Sequence, residues 1–150
     1  MTNVYVIGIG LIGGSMALDI KAFYPEAKIY GIDANEKHIQ EAIDLGIVEA
    51  KADFADLINA DWVIVSVPVD VALTVVPKVL DHIGEETVVF EVGSTKRLIC
   101  EAVADHPKRR NYIATHPIAG TEFSGPSAAI LGLFEDKANI ICEVEKTAFK

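Results

Sequence analysis

The chain has 150 residues, a length typical of one domain, and 51% of them are hydrophobic. Its 13 lysines and arginines are outnumbered by 22 aspartates and glutamates, which gives a formal net charge of −9. This composition excludes an intrinsically disordered chain, and the acidic balance argues against a general nucleic-acid binder and against a protein that binds anionic membrane surfaces.

Apolar strand-like runs alternate with amphipathic helix-like runs along the whole chain. The predicted strands are Asn3–Ile7, Lys28–Ile32, a short one at Ile47–Val48, Trp62–Val67, Thr87–Glu91, Asn111–Thr115 and Asn139–Glu143. The predicted helices are Leu11–Phe23, Glu36–Leu45, Val69–Ile83, Lys96–Asp105 and a short one near Ala128–Leu133. We expect Pro77 to break or kink the third helix. The alternation predicts an α/β fold with a mostly parallel sheet and helices on both of its faces.

Three glycines between the first strand and the first helix, Gly8, Gly10 and Gly13, form a G-x-G-x-x-G pattern, and Asp33 follows about 20 residues later. In this context the pattern predicts a dinucleotide site in a Rossmann-type, doubly wound fold. Gly8 permits the tight turn, Gly10 leaves room for a pyrophosphate, and Gly13 lets the helix pack close to the strand. Free N–H groups at the helix start then hold the phosphates. The predicted cofactor contacts in this turn are Gly8, Gly10, Leu11, Ile12 and Gly13. The alternative is that these glycines serve only a tight turn.

Asp33, at the end of the second predicted strand, indicates which dinucleotide binds. Its carboxylate can accept both ribose hydroxyls of NAD. It would repel the 2′-phosphate of NADP, because the next residues, Ala34 and Asn35, supply no cation. We therefore predict NAD as the cofactor. The alternative role of Asp33 is an N-cap of the following helix, and the two roles can coexist.

Three segments end at the carboxyl edge of the predicted sheet, where ligands of such folds bind. Ser66, Val67 and Pro68 lie at the end of one strand and are predicted to line the ribose and nicotinamide side. Ser94 and His116 follow the next two strands. A histidine there can accept the proton of a substrate hydroxyl as hydride leaves the same carbon, and Ser94 can orient either group. The alternatives are that Ser94 caps the next helix and that His116 is a loop histidine bonded to backbone.

The remaining chemistry-bearing residues give no sign of a metal or a disulfide framework. No His, Cys, Asp or Glu cluster has metal-ligand spacing. Cys100 and Cys142 are predicted to be buried thiols in a reducing compartment, which indicates the cytoplasm. We expect no signal peptide, and no apolar run reaches the roughly 18–20 residues of a membrane span.

Four stretches of the sequence together resemble one enzyme family. They are GIGLIGGS (8–15), SVPVD (66–70), EVGSTK (91–96) and HPIAGTEFSGPSAA (116–129), the last followed by LF at 133–134. They are similar to the prephenate/arogenate dehydrogenases of tyrosine biosynthesis, which carry an N-terminal Rossmann domain. The resemblance implies an NAD(P)-linked oxidative decarboxylation that converts prephenate to 4-hydroxyphenylpyruvate, or arogenate to tyrosine, with release of CO₂.

The resemblance also implies roles for individual residues. His116 matches the catalytic histidine of the family, which draws off the proton of the ring hydroxyl, and Ser94 matches the serine that positions that hydroxyl and the histidine. Thr121 and Glu122 match a loop that borders the substrate pocket. Glu91 stands where many members carry aspartate, and it keeps the charge.

Members of the family add a C-terminal helical domain. That domain forms a homodimer and provides most of the contacts to the substrate's carboxylates. Of the three arginines, Arg97, Arg109 and Arg110, none is predicted at the active edge, and the last two are expected in a solvated turn. Glu145–Lys150 resembles the opening of a helix. We therefore expect residues 1–150 to be the dinucleotide-binding domain, without the helical domain, and to bind NAD with little activity alone.

The sequence thus predicts an NAD-dependent prephenate dehydrogenase acting on a small molecule. One alternative is an arogenate dehydrogenase. Another is an NAD-binding regulatory module without chemistry. A third is a two-domain reductase of the pyrroline-carboxylate or 3-hydroxyacid type, which shares the glycine turn but lacks the HPIAGTE segment.

Overall fold

A seven-stranded sheet with helices on both faces organises residues 1–148, which are the residues that the computed structural model describes. The strands are β1 (Asn3–Ile7), β2 (Lys28–Ile32), β3 (Ala50–Lys51), β4 (Trp62–Val65), β5 (Val88–Glu91), β6 (Tyr112–Pro117) and β7 (Asn139–Cys142). The α-helices are α1 (Leu11–Phe23), α2 (Glu36–Asp44), α3 (Val69–His82) and α4 (Arg97–Val103).

The strand order is β3-β2-β1-β4-β5-β6-β7. Strands β1 to β6 are parallel, and β7 joins the edge antiparallel to β6. The chain reverses its direction across the sheet between β1 and β4, which makes the carboxyl ends of these two strands the switch point at which such folds bind ligands. The order confirms the predicted Rossmann-type, doubly wound α/β fold.

Side chains that alternate along the strands build one core on each face of the sheet. Val63 and Val65 point to the face covered by α3 and α4, where they pack with Val76. Val4 and Val6 point to the opposite face, covered by α1 and α2. Because the central strands are buried on both sides, most of their residues are apolar, as is usual in parallel sheets.

Two local predictions are wrong: the position of the short third strand and the break at Pro77. Ile47 and Val48 are buried but form no strand, and the short β3 begins at Ala50 instead. Helix α3 continues unbroken through Pro77. The helix is held by the neighbouring side chain Val76 and by the rest of its apolar face on the sheet, so the missing proline N–H does not end it.

The segment after β6 also differs from its prediction. Instead of a helix over 128–133, a short 3₁₀ turn at Pro126–Ala128 precedes further turns. The backbone N–H groups of Ile130 and Gly132 donate to Ser15 Oγ and Asp19 Oδ1 of α1, at 2.9 and 2.7 Å. These bonds to α1 fix the segment in a non-helical conformation.

Arg109 lies in the turn before β6, but its side chain is buried and not solvated as predicted. It donates to Glu143 Oε2 at 2.8 Å and to the Tyr112 carbonyl at 2.9 Å. The predicted helix opening at Glu145–Lys150 contains only a 3₁₀ turn over Val144–Lys146, and positions 149 and 150 lie outside the described residues.

Within residues 1–148, the helices are all too short or too polar to cross a bilayer.

Candidate active site

The glycine turn between β1 and α1 is closed by contacts that exclude side chains at two positions. Gly8 has a φ of +86°, and a Cβ added to it would lie 2.7 Å from the Ser66 carbonyl oxygen. A Cβ on Gly13 would lie 2.2 Å from Ser66 Oγ and 2.3 Å from the Gly8 carbonyl oxygen. The close approach of α1 to the ends of β1 and β4 therefore requires both glycines.

Gly10 lies in open space, since a Cβ built on it would meet no other atom within 4 Å. It is the N-cap of α1, no side chain caps the helix, and its first turn carries no acidic residue. The N–H groups of Leu11 and Ile12 belong to the first turn, whose amides have no acceptor within a helix. The positive end of the helix dipole faces the same space. An anion such as a pyrophosphate fits this opening.

Asp33 follows β2, and hydrogen bonds engage both of its carboxylate oxygens. The Ile9 amide donates to Oδ2 and the Asn35 amide to Oδ1, each at 2.9 Å. The N-cap of α2 is Asn35 and not Asp33, because the Asn35 side chain accepts from the Lys37 amide at 3.0 Å. Asp33 therefore faces the glycine turn. Nδ1 of His38, which the sequence did not single out, lies 3.7 Å from Asp33 Oδ2.

The glycine turn, Asp33 and the end of β4 line one open cleft of 630 Å³. Small-molecule sites typically have volumes of about 300–1,000 Å³. Further lining residues were missed by sequence reasoning, among them Lys51, Ala52, Phe54, Val71 and Val75. They come from β3, from the segment after it and from α3. No motif marks them, because only the strand order brings these elements beside β2.

Ser66, Val67 and Pro68 line the same cleft. The Ser66 hydroxyl is occupied by the protein itself, since it donates to the Gly8 carbonyl at 2.6 Å. Cγ1 of Val67 lies 3.0 Å from the position that a Gly8 Cβ would take. Ser66 thus holds the glycine turn, while Val67 and Pro68 offer apolar surface to a ligand.

Ser94 follows β5 at the carboxyl edge and is exposed. The N-cap position of α4 is Lys96, with no side-chain cap, so Ser94 does not cap this helix. Its hydroxyl forms no hydrogen bond with any residue of the described part of the chain. A ligand at this edge therefore meets an unoccupied hydroxyl.

His116 lies within β6 and not in the following loop, because β6 extends to Pro117 through its pairing with β7. Glu91 at the end of β5 pairs with Ala114 of β6, so Ser94, which follows β5, and His116, near the end of β6, lie at the same edge of the sheet. The half-buried imidazole is not bonded to backbone, and its buried Nδ1 has no hydrogen-bond partner among residues 1–148. No hydrogen bond from the described residues therefore fixes the imidazole.

Thr121 and Glu122 lie in the exposed segment that follows β6. The Phe123 amide donates to Thr121 Oγ1 at 3.2 Å. No hydrogen bond within the described residues joins either side chain to Ser94 or His116. The structure thus places these two residues on the surface next to the carboxyl edge, without fixing them to it.

In the part of the chain that is described, no three His, Cys, Asp or Glu side chains are grouped to hold a metal ion.

Comparisons with known proteins agree with this geometry. Residues 16–150 match the family model of the prephenate dehydrogenase nucleotide-binding domain. The prephenate dehydrogenase of Bacillus subtilis is 36% identical over 151 residues, which cover 97% of this chain. Two solved structures are similar in fold. The prephenate dehydrogenase of A. aeolicus, in complex with hydroxyphenyl propionate and NAD+, has a TM-score of 0.85 at 31% identity over 99% of this chain. Synechocystis arogenate dehydrogenase has a TM-score of 0.84 at 25% identity over 93% of this chain.

The chain spans about half the length of these relatives or less. It covers 40% of the B. subtilis protein, 52% of the A. aeolicus chain and 49% of the Synechocystis chain.

Proposed function

The chain belongs to the prephenate dehydrogenase family, and we propose that it is the NAD-binding domain of an enzyme that oxidatively decarboxylates prephenate to 4-hydroxyphenylpyruvate and CO₂. The observation that carries the proposal is that His116, near the end of β6, and Ser94, which follows the neighbouring β5, lie at the edge where the glycine turn opens. Both side chains have polar atoms that no residue among 1–148 engages.

NAD fits the residues of the cleft. The space beside Gly10 suits a pyrophosphate, and the fixed carboxylate of Asp33 suits the two ribose hydroxyls. The A. aeolicus relative was solved with NAD+. Bound NAD supplies the acceptor for the hydride. The proposed contacts are Gly8, Gly10, Leu11, Ile12, Gly13, Asp33, Ser66, Val67 and Pro68.

In the proposed reaction, His116 acts as a general base. The imidazole accepts the proton of the ring hydroxyl as hydride leaves the carbon that carries it. Ser94 donates a hydrogen bond that holds this hydroxyl in line with the imidazole. The C–C bond to the ring carboxylate then breaks, and its electron pair makes the ring aromatic as CO₂ departs. The phenolate oxygen then takes back the proton from the His116 imidazolium. Positioning and one proton transfer are the protein's contribution, since aromatisation supplies the driving force.

The substrate's carboxylates need partners beyond this domain. Arg109 is buried against Glu143, Arg110 lies beside it at the amino end of β6, and Arg97 bonds Glu101 on α4. We propose that a helical C-terminal domain, which also forms a homodimer, supplies these partners, and that Thr121 and Glu122 border the pocket from this side. Two free thiols, Cys100 and Cys142, support a reducing, cytoplasmic location.

The test is NADH formation by the complete polypeptide that carries this chain, with prephenate and with arogenate as substrates. The His116→Asn variant should lose about 10²–10⁴-fold in kcat with unchanged NAD affinity. The matched control is His106→Asn, a histidine bonded to Asp81 near the opposite edge of the sheet.

Each result has a defined meaning. Turnover of arogenate alone would replace prephenate with arogenate as the substrate. NAD binding without turnover of either compound would indicate a non-catalytic NAD-binding module. Full activity of His116→Asn would remove this histidine from the mechanism.

A further inference from the structure

Beneath the loop that carries Ser94 lies a fully buried carboxylate. Glu91 is the last residue of β5 and has 0% of its surface exposed. It shares the sheet face that α3 and α4 cover with Tyr112 and Ala114. A carboxylate in such surroundings is costly unless charged and hydrogen-bonding partners surround it.

The partners of Glu91 lie on both sides of Ser94 in sequence. The Gly93 amide donates to Oε1 at 2.5 Å, and the Lys96 ammonium donates to Oε2. The same ammonium donates to the Glu91 carbonyl at 3.1 Å. One side chain therefore fixes residue 93 and residue 96, which leaves only Ser94 and Thr95 exposed between two anchored positions.

Lys96 is enclosed almost as fully as its partner, with 10% of its side chain exposed. Burial lowers the pKa of its ammonium, and the hydrogen bond to Glu91 opposes that shift. An ion pair at the protein surface contributes little to stability. In this pair both charged groups are removed from water, and further hydrogen bonds hold their geometry.

The carboxylate also joins the loop to the strand that carries His116. The Tyr112 hydroxyl donates to Glu91 Oε2 at 3.3 Å, and the Thr115 hydroxyl donates to the Glu91 carbonyl at 3.0 Å. Burial raises the pKa of Tyr112, so its hydroxyl remains a donor. Both tyrosine and threonine belong to β6, as does His116. Glu91 thus contacts both the loop that carries Ser94 and the strand that carries His116.

The loop rests directly on this carboxylate. A Cβ on Gly93 would lie 2.5 Å from Glu91 Oε1, so the backbone at Gly93 packs against the carboxylate with no room for a side chain. Any displacement of the Glu91 side chain therefore moves the backbone next to Ser94.

From these contacts we infer that Glu91 and Lys96 are positioning residues, whose buried ion pair holds the Ser94 hydroxyl at a fixed place beside His116. The inference rests on the proposed dehydrogenase function. Neither residue touches the reacting atoms, and both act through the backbone of Val92–Thr95. A displacement of about 1 Å in such a group can lower a rate by about a hundredfold.

The decisive variant replaces both charges in the complete polypeptide, as Glu91→Gln combined with Lys96→Met. The double replacement avoids a single unpaired buried charge, which would threaten folding. We expect the protein to fold and to bind NAD with unchanged Kd, while kcat with prephenate falls by about tenfold or more and KM changes less. Glu91→Asp, which keeps the charge, should recover part of the kcat. The matched control removes the exposed Arg97–Glu101 pair on α4, by Arg97→Met with Glu101→Gln, and should leave kcat unchanged.

Hydrogen exchange of the Gly93 amide gives a readout that does not depend on activity. Its bond to Glu91 should protect it in the unmodified protein. In the double variant the side-chain amide of residue 91 is a weaker acceptor and is no longer held by Lys96, so the Gly93 amide should exchange faster. An unmodified protein that turns over neither prephenate nor arogenate would count against the proposed function alone. Unchanged kcat in the double variant, or unchanged Gly93 exchange, would overturn the positioning role.

Discussion

The Ile9 amide donates a hydrogen bond to Asp33 Oδ2 at 2.9 Å, and this bond ties the glycine turn to the end of β2. The Asn35 amide occupies the other carboxylate oxygen at the same distance. Each oxygen keeps a further lone pair for a ligand, so the carboxylate is oriented before a dinucleotide binds. The two backbone amides thus hold the carboxylate in place to accept from two ribose hydroxyls and to repel a phosphate.

Asp33 should therefore decide between NAD and NADP. The unmodified protein is expected to bind NAD much more tightly than NADP, and Asp33→Asn should weaken NAD binding by about tenfold while narrowing the difference between the two. Isothermal titration calorimetry with both dinucleotides measures this. Asp44→Asn, an exposed carboxylate at the end of α2, is the control. Equal Kd values for NAD and NADP in the unmodified protein would contradict the assignment.

Substitution of Gly13 should mainly lower the stability of the fold, whereas substitution of Gly10 should mainly weaken NAD binding. Gly13→Ala places a methyl group 2.2 Å from Ser66 Oγ and should destabilise the fold by about 1–3 kcal/mol or more. Gly10→Ala meets no protein atom within 4 Å and should cost at most about 1 kcal/mol as a changed N-cap. Its methyl group nevertheless enters the space proposed for the pyrophosphate, so NAD affinity should fall by about tenfold or more. Thermal unfolding measures the change in stability, and calorimetry measures the change in NAD affinity. Unchanged NAD affinity in Gly10→Ala would show that the pyrophosphate does not bind at this position.

Ser15 should stabilise the segment that follows β6. Its hydroxyl is fully buried and accepts from the Ile130 amide, 115 residues away. Ser15→Ala leaves that amide without its acceptor and should cost about 1–3 kcal/mol, or roughly 2–4 °C in Tm for each kcal/mol. Asp19→Asn is the milder comparison, because an amide oxygen can still accept from Gly132. An unchanged Tm in Ser15→Ala would show that the hydrogen bond contributes nothing to stability.

Glu143 should make stability depend on pH in the acid range. Hydrogen bonds from Lys146 and Arg109 lower the pKa of its carboxyl from 4.5 to about 2. A pKa that is lower in the folded state contributes stability above pH 4.5, and that contribution is lost as pH falls from 4.5 towards 2. Glu143→Gln should remove this part of the acid dependence, and Lys146→Met should remove some of it. Tm measured against pH tests this, and identical acid slopes for all three proteins would contradict it.

Local patterns were sufficient for the first three elements of the fold. β1, α1 and β2 begin and end at the predicted residues, because their apolar periodicity, glycine turn and caps all lie within a few positions of each boundary. The carboxyl edge was also predictable, since strands that alternate with helices must be parallel and must end together. Ser94 and His116 could be assigned to that edge for the same reason, although their chemical roles remain proposals.

The contacts between distant segments were not predictable from local patterns. Phe54 and Val71 line the cleft because β3 and α3 lie beside β2 and β4, which is a property of the strand order. Gly14 carries no local requirement for glycine, yet a Cβ on it would lie 2.8 Å from that of Ala129. Glu91 is a similar case. In the sequence it stands out only as a glutamate where aspartate was expected from the family resemblance, while the structure shows it as the buried partner of Lys96.

Composition, periodicity and the glycine spacing were thus enough to specify the α/β class, the dinucleotide turn and the edge of the sheet where chemistry is expected, because each depends on backbone preferences that neighbouring residues set. The long-range packing alone decided which polar groups are occupied and which are free: Ser66 is bound to the glycine turn, Asp33 to Ile9, and His116 Nδ1 to no residue of 1–148. These hydrogen bonds and this burial involve atoms that are far apart in the sequence. Such contacts form, and stabilise the fold, only after the strands have paired in their final order.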